Sequence, residues 1–297
     1  MKPELTDAPP ARALDWVRKA VGRGSDVLDV RPLAGSTSAV HALTARTASG
    51  AVIRLVLRRY VRPEYLASEG DPPGYETNAL RLLDGGSVPA PRLVAADVTG
   101  DECDVPAVLM TLLPGRPRKP PPATELADYL RGLAEPLPDI HSTPVNSALR
   151  PYRPYFADVR LRPPFWAKDP AMWERAIAIH TGPVPQGSSF IHRDYHPGNV
   201  LWHDNAVQGV VDWANTSTGH PHADIGHCRE NLCTVGPDVA ERFLDAYRAV
   251  SGDNSEYDPY WDIAAAVGWA PISEEAPDRP DLYESFVARA VARAART

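Results

Sequence analysis

Across residues 27–58, apolar and polar positions mostly alternate, which predicts strands rather than helices. Residues 27–33, 39–45 and 52–58 read as three strands. They are separated by a small-residue loop, Ala34-Gly35-Ser36-Thr37-Ser38, and by a Ser49-Gly50 turn. In the third strand Arg54, Val56 and Arg58 share one face and Ile53, Leu55 and Leu57 the other. Helical spacing appears twice in this part of the chain. Leu14, Trp16, Val17 and Val21 form an inward stripe ending at Gly22. Glu76, Leu80 and Leu83 share the inner face of a helix stopped by Asp84-Gly85-Gly86. The proline-rich run 114–122 cannot be helical and predicts a stiff extended connector. A boundary there divides the chain into residues 1–113 and 114–297. The second part reads as mainly helical around a hairpin at 199–213. One helix starts at Pro237 with Ala240, Phe243, Leu244 and Tyr247 inward, and two more lie near 260–267 and 282–296. The expected class is α+β, an antiparallel N-terminal sheet with a helix followed by a mainly helical lobe.

Chemistry concentrates in His192-Arg193-Asp194-Tyr195-His196-Pro197-Gly198-Asn199 and in Asp212, which ends an apolar strand thirteen residues further on. H-R-D-x-x-x-x-N followed by a strand-terminal Asp is the spacing of a phosphotransfer loop. A carboxylate orients the attacking hydroxyl and takes its proton, and hard oxygens hold Mg²⁺ against phosphates. Upstream, Gly35, Ser36, Thr37 and Ser38 are small enough to let backbone N–H groups approach phosphate oxygens. Val56 and Arg58, two apart on one strand face, can cover an adenine and reach its phosphates. Glu76 on an otherwise apolar helix face needs a partner, because burying it unpaired is costly, and Arg58 is the natural one. Two rivals stand beside this reading. One is ordinary turn chemistry around Pro197-Gly198. The other is a metal-dependent hydrolase, with His192, Asp194 and His196 as three ligands on one strand face. Six of the nine histidines lie between 192 and 227. The hydrolase leaves Asn199 and the upstream features unused.

With these residues placed, the chain resembles the aminoglycoside phosphotransferase and choline kinase-like family over roughly residues 25–250. The resemblance is strongest at 192–202, 209–213 and 219–225. It implies a bilobal protein-kinase-like fold, with nucleotide binding in the N-lobe and the catalytic loop and acceptor site in the C-lobe. Carried over, Asp194 is the catalytic base or orienter, Asn199 and Asp212 are Mg²⁺ ligands, and Arg58, held by Glu76, contacts ATP phosphates. Met110, Thr111 and Leu112 belong to a hinge whose backbone binds adenine. Asp224 buttresses the catalytic loop, and His192 is structural. Residues 133–141 look like the family's helix ending in Leu-x-x-His. The chain departs from the family at Arg58, often Lys, and at Arg193, often Gly. Asp212 is followed by Trp213-Ala214, so no D-F-G is present, which favours a small-molecule kinase. The family's acceptors range from aminoglycosides and macrolides to choline-like amines and sugars, so resistance and primary metabolism both remain open, as does GTP in place of ATP. A kinase-fold binding module without activity is opposed by the intact Asp194, Asn199 and Asp212.

Composition narrows the setting. Of 297 residues, 43% are apolar and 23% charged, as in soluble globular proteins. Three cysteines argue against a disulfide scaffold and suit a reducing cytoplasm, and Cys228 and Cys233 lack the second pair that a zinc site needs. The sequence leads us to expect neither a signal peptide nor an apolar run that would span a bilayer. A net charge of −7 argues against nucleic acid and mildly favours a cationic acceptor. Nine acidic residues (Asp253, Glu256, Asp258, Asp262, Glu274, Glu275, Asp278, Asp281 and Glu284) against Arg279 between 253 and 284 point the same way. The assembly is expected to be a monomer or homodimer.

Overall fold

The computed structural model describes residues 3–296, which divide into two compact units. The first comprises the chain up to Pro114 together with Gly209–Asn215. It contains α1 (Pro3–Thr6), α2 (Ala11–Val21), β1 (Asp26–Pro32), β2 (Ala39–Arg46), β3 (Val52–Arg59), α3 (Pro63–Glu69), α4 (Pro72–Leu83), β4 (Leu93–Asp97) and β5 (Ala107–Thr111). The strands form one antiparallel sheet in the order β1-β2-β3-β5-β4. Its pleat sends Leu55 and Leu57 into a core with Leu43, Ala45 and Leu109, closed by Trp16 and Val17 of α2. The inward stripe of α2 is Ala13, Trp16 and Val17. Leu14 is only half-buried, because the stripe that fits the sheet runs i, i+3, i+4 from Ala13. In α4, Glu76, Leu80 and Leu83 are buried as the spacing predicts. Prolines in the first turn suit its start, and the Asp71 side chain accepts the Gly74 N–H at 3.0 Å.

The second unit comprises Gly115–Gln208 and the chain from Thr216 onward. Its elements are β6 (Arg116–Pro117), α5 (Leu126–Ala134), α6 (Leu137–Ser142), α7 (Pro170–His180), β7 (Ser189–Ile191), β8 (Val200–His203), β9 (Ala206–Val210), β10 (Ser217–Gly219), α8 (His222–Leu232), α9 (Val239–Ser251), α10 (Tyr260–Val267) and α11 (Pro280–Ala294). The chain leaves this unit within β9 and returns at Thr216. The predicted connector is partly strand, because Arg116 and Pro117 pair with Trp202 and Leu201 at a sheet edge. An edge tolerates a residue with no N–H to donate. Asp204 and Asn205, both at positive φ, make the two-residue hairpin turn between β8 and β9. The predicted face of α9 is buried throughout. Trp173, Ile263, Val267, Phe286 and Val287 knit α7, α10 and α11 together. Helices α8 and α10 approach so closely at Gly226 that a Cβ there would lie 2.5 Å from the Trp261 carbonyl oxygen. No helix among the described residues is long and apolar enough to cross a membrane.

Two buried polar features carry weight in this unit. Arg229, fully buried, grips Asp262 through Nε and Nη2 at 2.8 Å each, and donates to the Ala240 carbonyl at 2.7 Å. Asp262, one of the nine acidic residues between 253 and 284, therefore faces inward, and the Tyr257 hydroxyl donates to it at 2.7 Å. The second feature is a set of histidines, His180 and His222 buried and His220 half-buried. Burial, then the charge of His220, pushes His222 down to about 4, and burial also lowers His220 and His180. Unfolded, such histidines take up protons from about pH 6.5 downward. The unfolded state thus binds more protons between pH 6.5 and 4, and stability is lost as pH falls through that window. The urea midpoint is expected to drop from pH 7 to pH 5, before carboxylate protonation contributes. A histidine shifted upward works the other way over this window, as His227 does, so the drop is the balance of these three lowered histidines against one raised. A midpoint that rose toward pH 5 would contradict the neutral histidines.

Candidate active site

In the second unit β7 stops at Ile191, and residues 192–199 leave the sheet as a loop ending in a 3₁₀ turn, Pro197–Asn199. His192, Asp194 and His196 therefore do not line one strand face. Among the described residues no group of three His, Cys, Asp or Glu side chains could hold a metal ion. The loop is clamped from α8. Asp224, in its first turn and fully buried, accepts the His192 N–H at 2.9 Å and the Arg193 N–H at 2.6 Å. Its Oδ2 also meets His141 Nε2 at 3.1 Å. Arg193 sits at φ 68°, where glycine is at ease. Such backbone costs a residue with a side chain about 1–3 kcal/mol. Here the guanidinium lies 3.9 Å from the centre of the Tyr155 ring and donates to the Arg153 carbonyl at 3.0 Å. His192 Nδ1 accepts the Asp194 N–H at 3.3 Å, and Asn199 Nδ2 donates to the Asp194 carbonyl at 2.9 Å. Asn199 is thus fixed with its Oδ1 as the remaining acceptor of the amide.

The Asp194 carboxylate meets His227 Nε2 through Oδ1 at 3.0 Å. Burial works to raise Asp194, but the bond and charge of His227, with His196 and His192 behind it, hold it well below the usual carboxylate range. Burial pulls His227 down and its bond to Asp194 more than reverses this, so its net direction is upward. Both line a cavity of 430 Å³. His227, Glu230, Asn231 and Thr234, spaced i, i+3, i+4, i+7 along α8 and its C-terminal extension, form one wall; Trp269, Pro277, Asp278 and Tyr283 contribute the rest with His196. Glu230 accepts from the Tyr283 hydroxyl at 2.6 Å and from Asn231 Nδ2 at 2.8 Å, and burial pushes its carboxyl upward. Of the nine acidic residues at 253–284, only Asp278 is among the cavity's lining. Glu284 accepts backbone N–H groups of Lys168 and Asp169, Asp281 pairs with Arg279, and Glu274 and Glu275 are exposed elsewhere. The acidic run at 253–284 thus contributes only Asp278 to this cavity, beside Glu230 of α8; the other carboxylates are engaged locally or exposed away from it.

In the first unit Arg58 is the hub. Its Nη1 donates to Glu76 Oε1 at 3.0 Å and to Asp212 Oδ1 at 2.6 Å, and its Nε to Ser38 Oγ at 2.7 Å. The Tyr60 hydroxyl holds the second Glu76 oxygen at 2.7 Å. Burial pushes Glu76 up against the pull of Arg58, and the nearby Asp212 charge adds to the rise. The Arg58–Glu76 pair that the sequence called for is present. The involvement of Asp212, which is at φ 68°, and of Ser38 was not foreseen. Ser38 is buried with its hydroxyl on Arg58, so it orients the cation. Gly35 has no room for a Cβ, which would lie 2.6 Å from the Ser38 carbonyl, and the Ser36 carbonyl accepts from Arg62 at 3.0 Å. Thr37 is half-buried between them. Val56 pairs with Met110 across β3 and β5. The N–H groups of Thr111 and Leu112, in the segment expected to be a hinge, donate to the carbonyls of Arg92 and Arg54, at 2.9 and 3.0 Å.

Sequence reasoning missed His227, Glu230, Trp269 and Tyr283. A signal existed for His227. It lies three residues past Asp224, one helical turn along a helix already expected to buttress the catalytic loop.

A sequence profile of the phosphotransferase enzyme family, APH, matches residues 29–279. No curated protein matches the chain by sequence. Several solved structures share its fold. A thermostable mutant of aminoglycoside phosphotransferase APH(4)-Ia, in ternary complex with ADP and hygromycin B, is 14% identical with a TM-score of 0.60, covering 96% of this chain and 98% of that one. Macrolide 2′-phosphotransferase MphH from Brachybacterium faecium, as apoenzyme, is 20% identical with a TM-score of 0.58, covering 95% and 97%. The streptomycin–ATP ternary complex of APH(2″)-IIa is 15% identical with a TM-score of 0.51, covering 86% and 92%. At such identities the likeness is one of fold: an antiparallel N-terminal sheet followed by a helical region, as in kinase-like phosphotransferases.

Proposed function

The chain belongs to the APH phosphotransferase enzyme family, and from that premise we propose that it moves the γ-phosphate of ATP to a hydroxyl of a small cationic molecule. The observation that carries this reading is the Asp194 carboxylate in a 430 Å³ cavity that also holds Glu230, Asp278 and the Trp269 indole. Two further carboxylates and an aromatic face suit an ammonium-bearing acceptor. Asp194 would hold the acceptor hydroxyl and take its proton as the new O–P bond forms and the β–γ bridge breaks to release ADP. Arg58 would meet the nucleotide's phosphates, with Glu76 and Ser38 orienting it, under the loop of Gly35, Ser36 and Thr37. Val56, Met110, Thr111 and Leu112 would receive the adenine, and a guanine would meet the same backbone. Asn199 and Asp212 each offer a hard side-chain oxygen of the kind Mg²⁺ takes; when bound, the ion would neutralise phosphate charge. His192 and Asp224 would keep the loop in shape. The nucleotide part is supported by similar structures, which include complexes with ADP and with AMP-PNP. The hydrolase alternative loses its ligand set in the loop geometry described above.

The test is a panel of hydroxylated amines and neutral sugars with ATP and GTP, read by product mass. Asp278→Asn is expected to raise the acceptor KM about two- to fivefold, the range of a partly exposed ion pair. The nucleotide KM should stay the same, and added salt should shrink the difference. A neutral sugar as the preferred acceptor would remove the cationic part of the reading.

A further inference from the structure

We propose that His227 is a positioning residue that sets the Asp194 carboxylate for phosphoryl transfer, a role that rests on the phosphotransferase reading above. The argument begins with α8. One turn of that helix separates Asp224 from His227. Asp224 fixes the backbone N–H groups of His192 and Arg193, and His227 fixes the side chain of the next residue, Asp194, at 3.0 Å. A single rigid element thus locates both the loop and its reactive group, which is more accurate than support from loop residues.

The bond is also selective between the two carboxylate oxygens. His227 Nε2 engages Oδ1, so Oδ2 is left to receive the acceptor's hydroxyl. In the transfer the hydroxyl proton passes to Oδ2, the acceptor oxygen bonds phosphorus, ADP leaves, and His227 keeps its own proton. The groups facing His227 are Asp194, the His196 ring at 5.8 Å, the Tyr155 ring at 6.5 Å, Glu230 one turn on, Asp224 one turn back, and Asp278 and Tyr283 in the lining of the same cavity. This preponderance of carboxylates favours a charged imidazole, in line with its upward shift. The charge in turn keeps Asp194 ionised and ready to accept the hydroxyl.

The experiment compares wild type, His227→Phe and His227→Gln in steady-state kinetics, and follows the histidine ring signals of wild type and Asp194→Asn by NMR titration. The Phe variant, which keeps the bulk and removes the donor, is expected to lose roughly 10- to 100-fold in kcat, the scale of lost orienting partners, with the nucleotide KM unchanged. The Gln variant, which restores a donor near the Nε2 position, should recover most of that loss. The His227 midpoint should fall in Asp194→Asn. A Phe variant within threefold of wild type, a Gln variant no better than Phe, or an unmoved His227 midpoint would each overturn the proposal. A wild type that transfers no phosphate to any acceptor would instead strike the phosphotransferase reading and the catalytic role with it. The titration would still decide whether the pair exists, so the two failures are told apart.

Discussion

Replacing Asp194 by Ala or Asn is expected to lower kcat by roughly 10² to 10⁴, the usual worth of a general base or orienting group. Nucleotide binding should survive, because the groups assigned to it (Ser38, Arg58, Glu76 and Asp212) bond one another within the first unit. Turnover and nucleotide titration of the same preparations give both readings. The Asn variant is the sharper test. It keeps the shape and can still meet His227, but it cannot accept a proton. Turnover within a few-fold of wild type in both variants would remove Asp194 from the chemistry and the proposed mechanism with it.

The second large effect concerns stability. Asp262→Ala should destabilise the second unit by about 3–5 kcal/mol, since it strands the fully buried Arg229 guanidinium. The Ala240 carbonyl and Glu241 still reach that guanidinium, which favours the lower end of the range. Removing the charge as well, in Arg229→Met with Asp262→Leu, should recover much of the loss, because the cost lies in the unpaired charge rather than in the missing bond. Urea unfolding of the single and double variants decides the matter. A loss below 1 kcal/mol in Asp262→Ala would mean that Glu241 and the Ala240 carbonyl alone satisfy the cation.

The parts of the fold that could be read in advance were those whose burial follows a simple period. The β3 alternation, the Glu76–Leu80–Leu83 face and the Ala240–Tyr247 face all follow from one element packing against one core. Beyond Asp224 at its start, helix α8 escaped because it is buried on several sides, so polar residues such as Arg229 and Glu230 sit where a periodic reading expects apolar ones. The candidate site divided in the same way. Asp194, Asn199 and Asp212 stand at spacings that local chemistry imposes. By contrast, Trp269 and Tyr283 reach the cavity through tertiary packing, which no spacing in the chain records, while His227 was marked only by its place one turn past Asp224. The acidic run at 253–284 misled because composition counts charges but not partners: Asp262 and Glu284 are engaged by Arg229 and by backbone N–H groups.

The excursion of Gly209–Asn215 into the first unit bears on how this protein can be dissected. A fragment cut at Pro114 would keep Arg58 and Glu76 but lose Asp212, the other carboxylate on that guanidinium. It would also lose Val210, whose N–H caps the Pro89 carbonyl at 2.8 Å, and Trp213, which packs in the same seven-residue segment. A limited-proteolysis nick in the connector would leave the covalent chain open yet both units complete, provided the pieces stay together. The halves are in this sense a complementing pair rather than two exchangeable modules. Domain shuffling among relatives at the connector alone would transplant the first unit without its own Gly209–Asn215 segment.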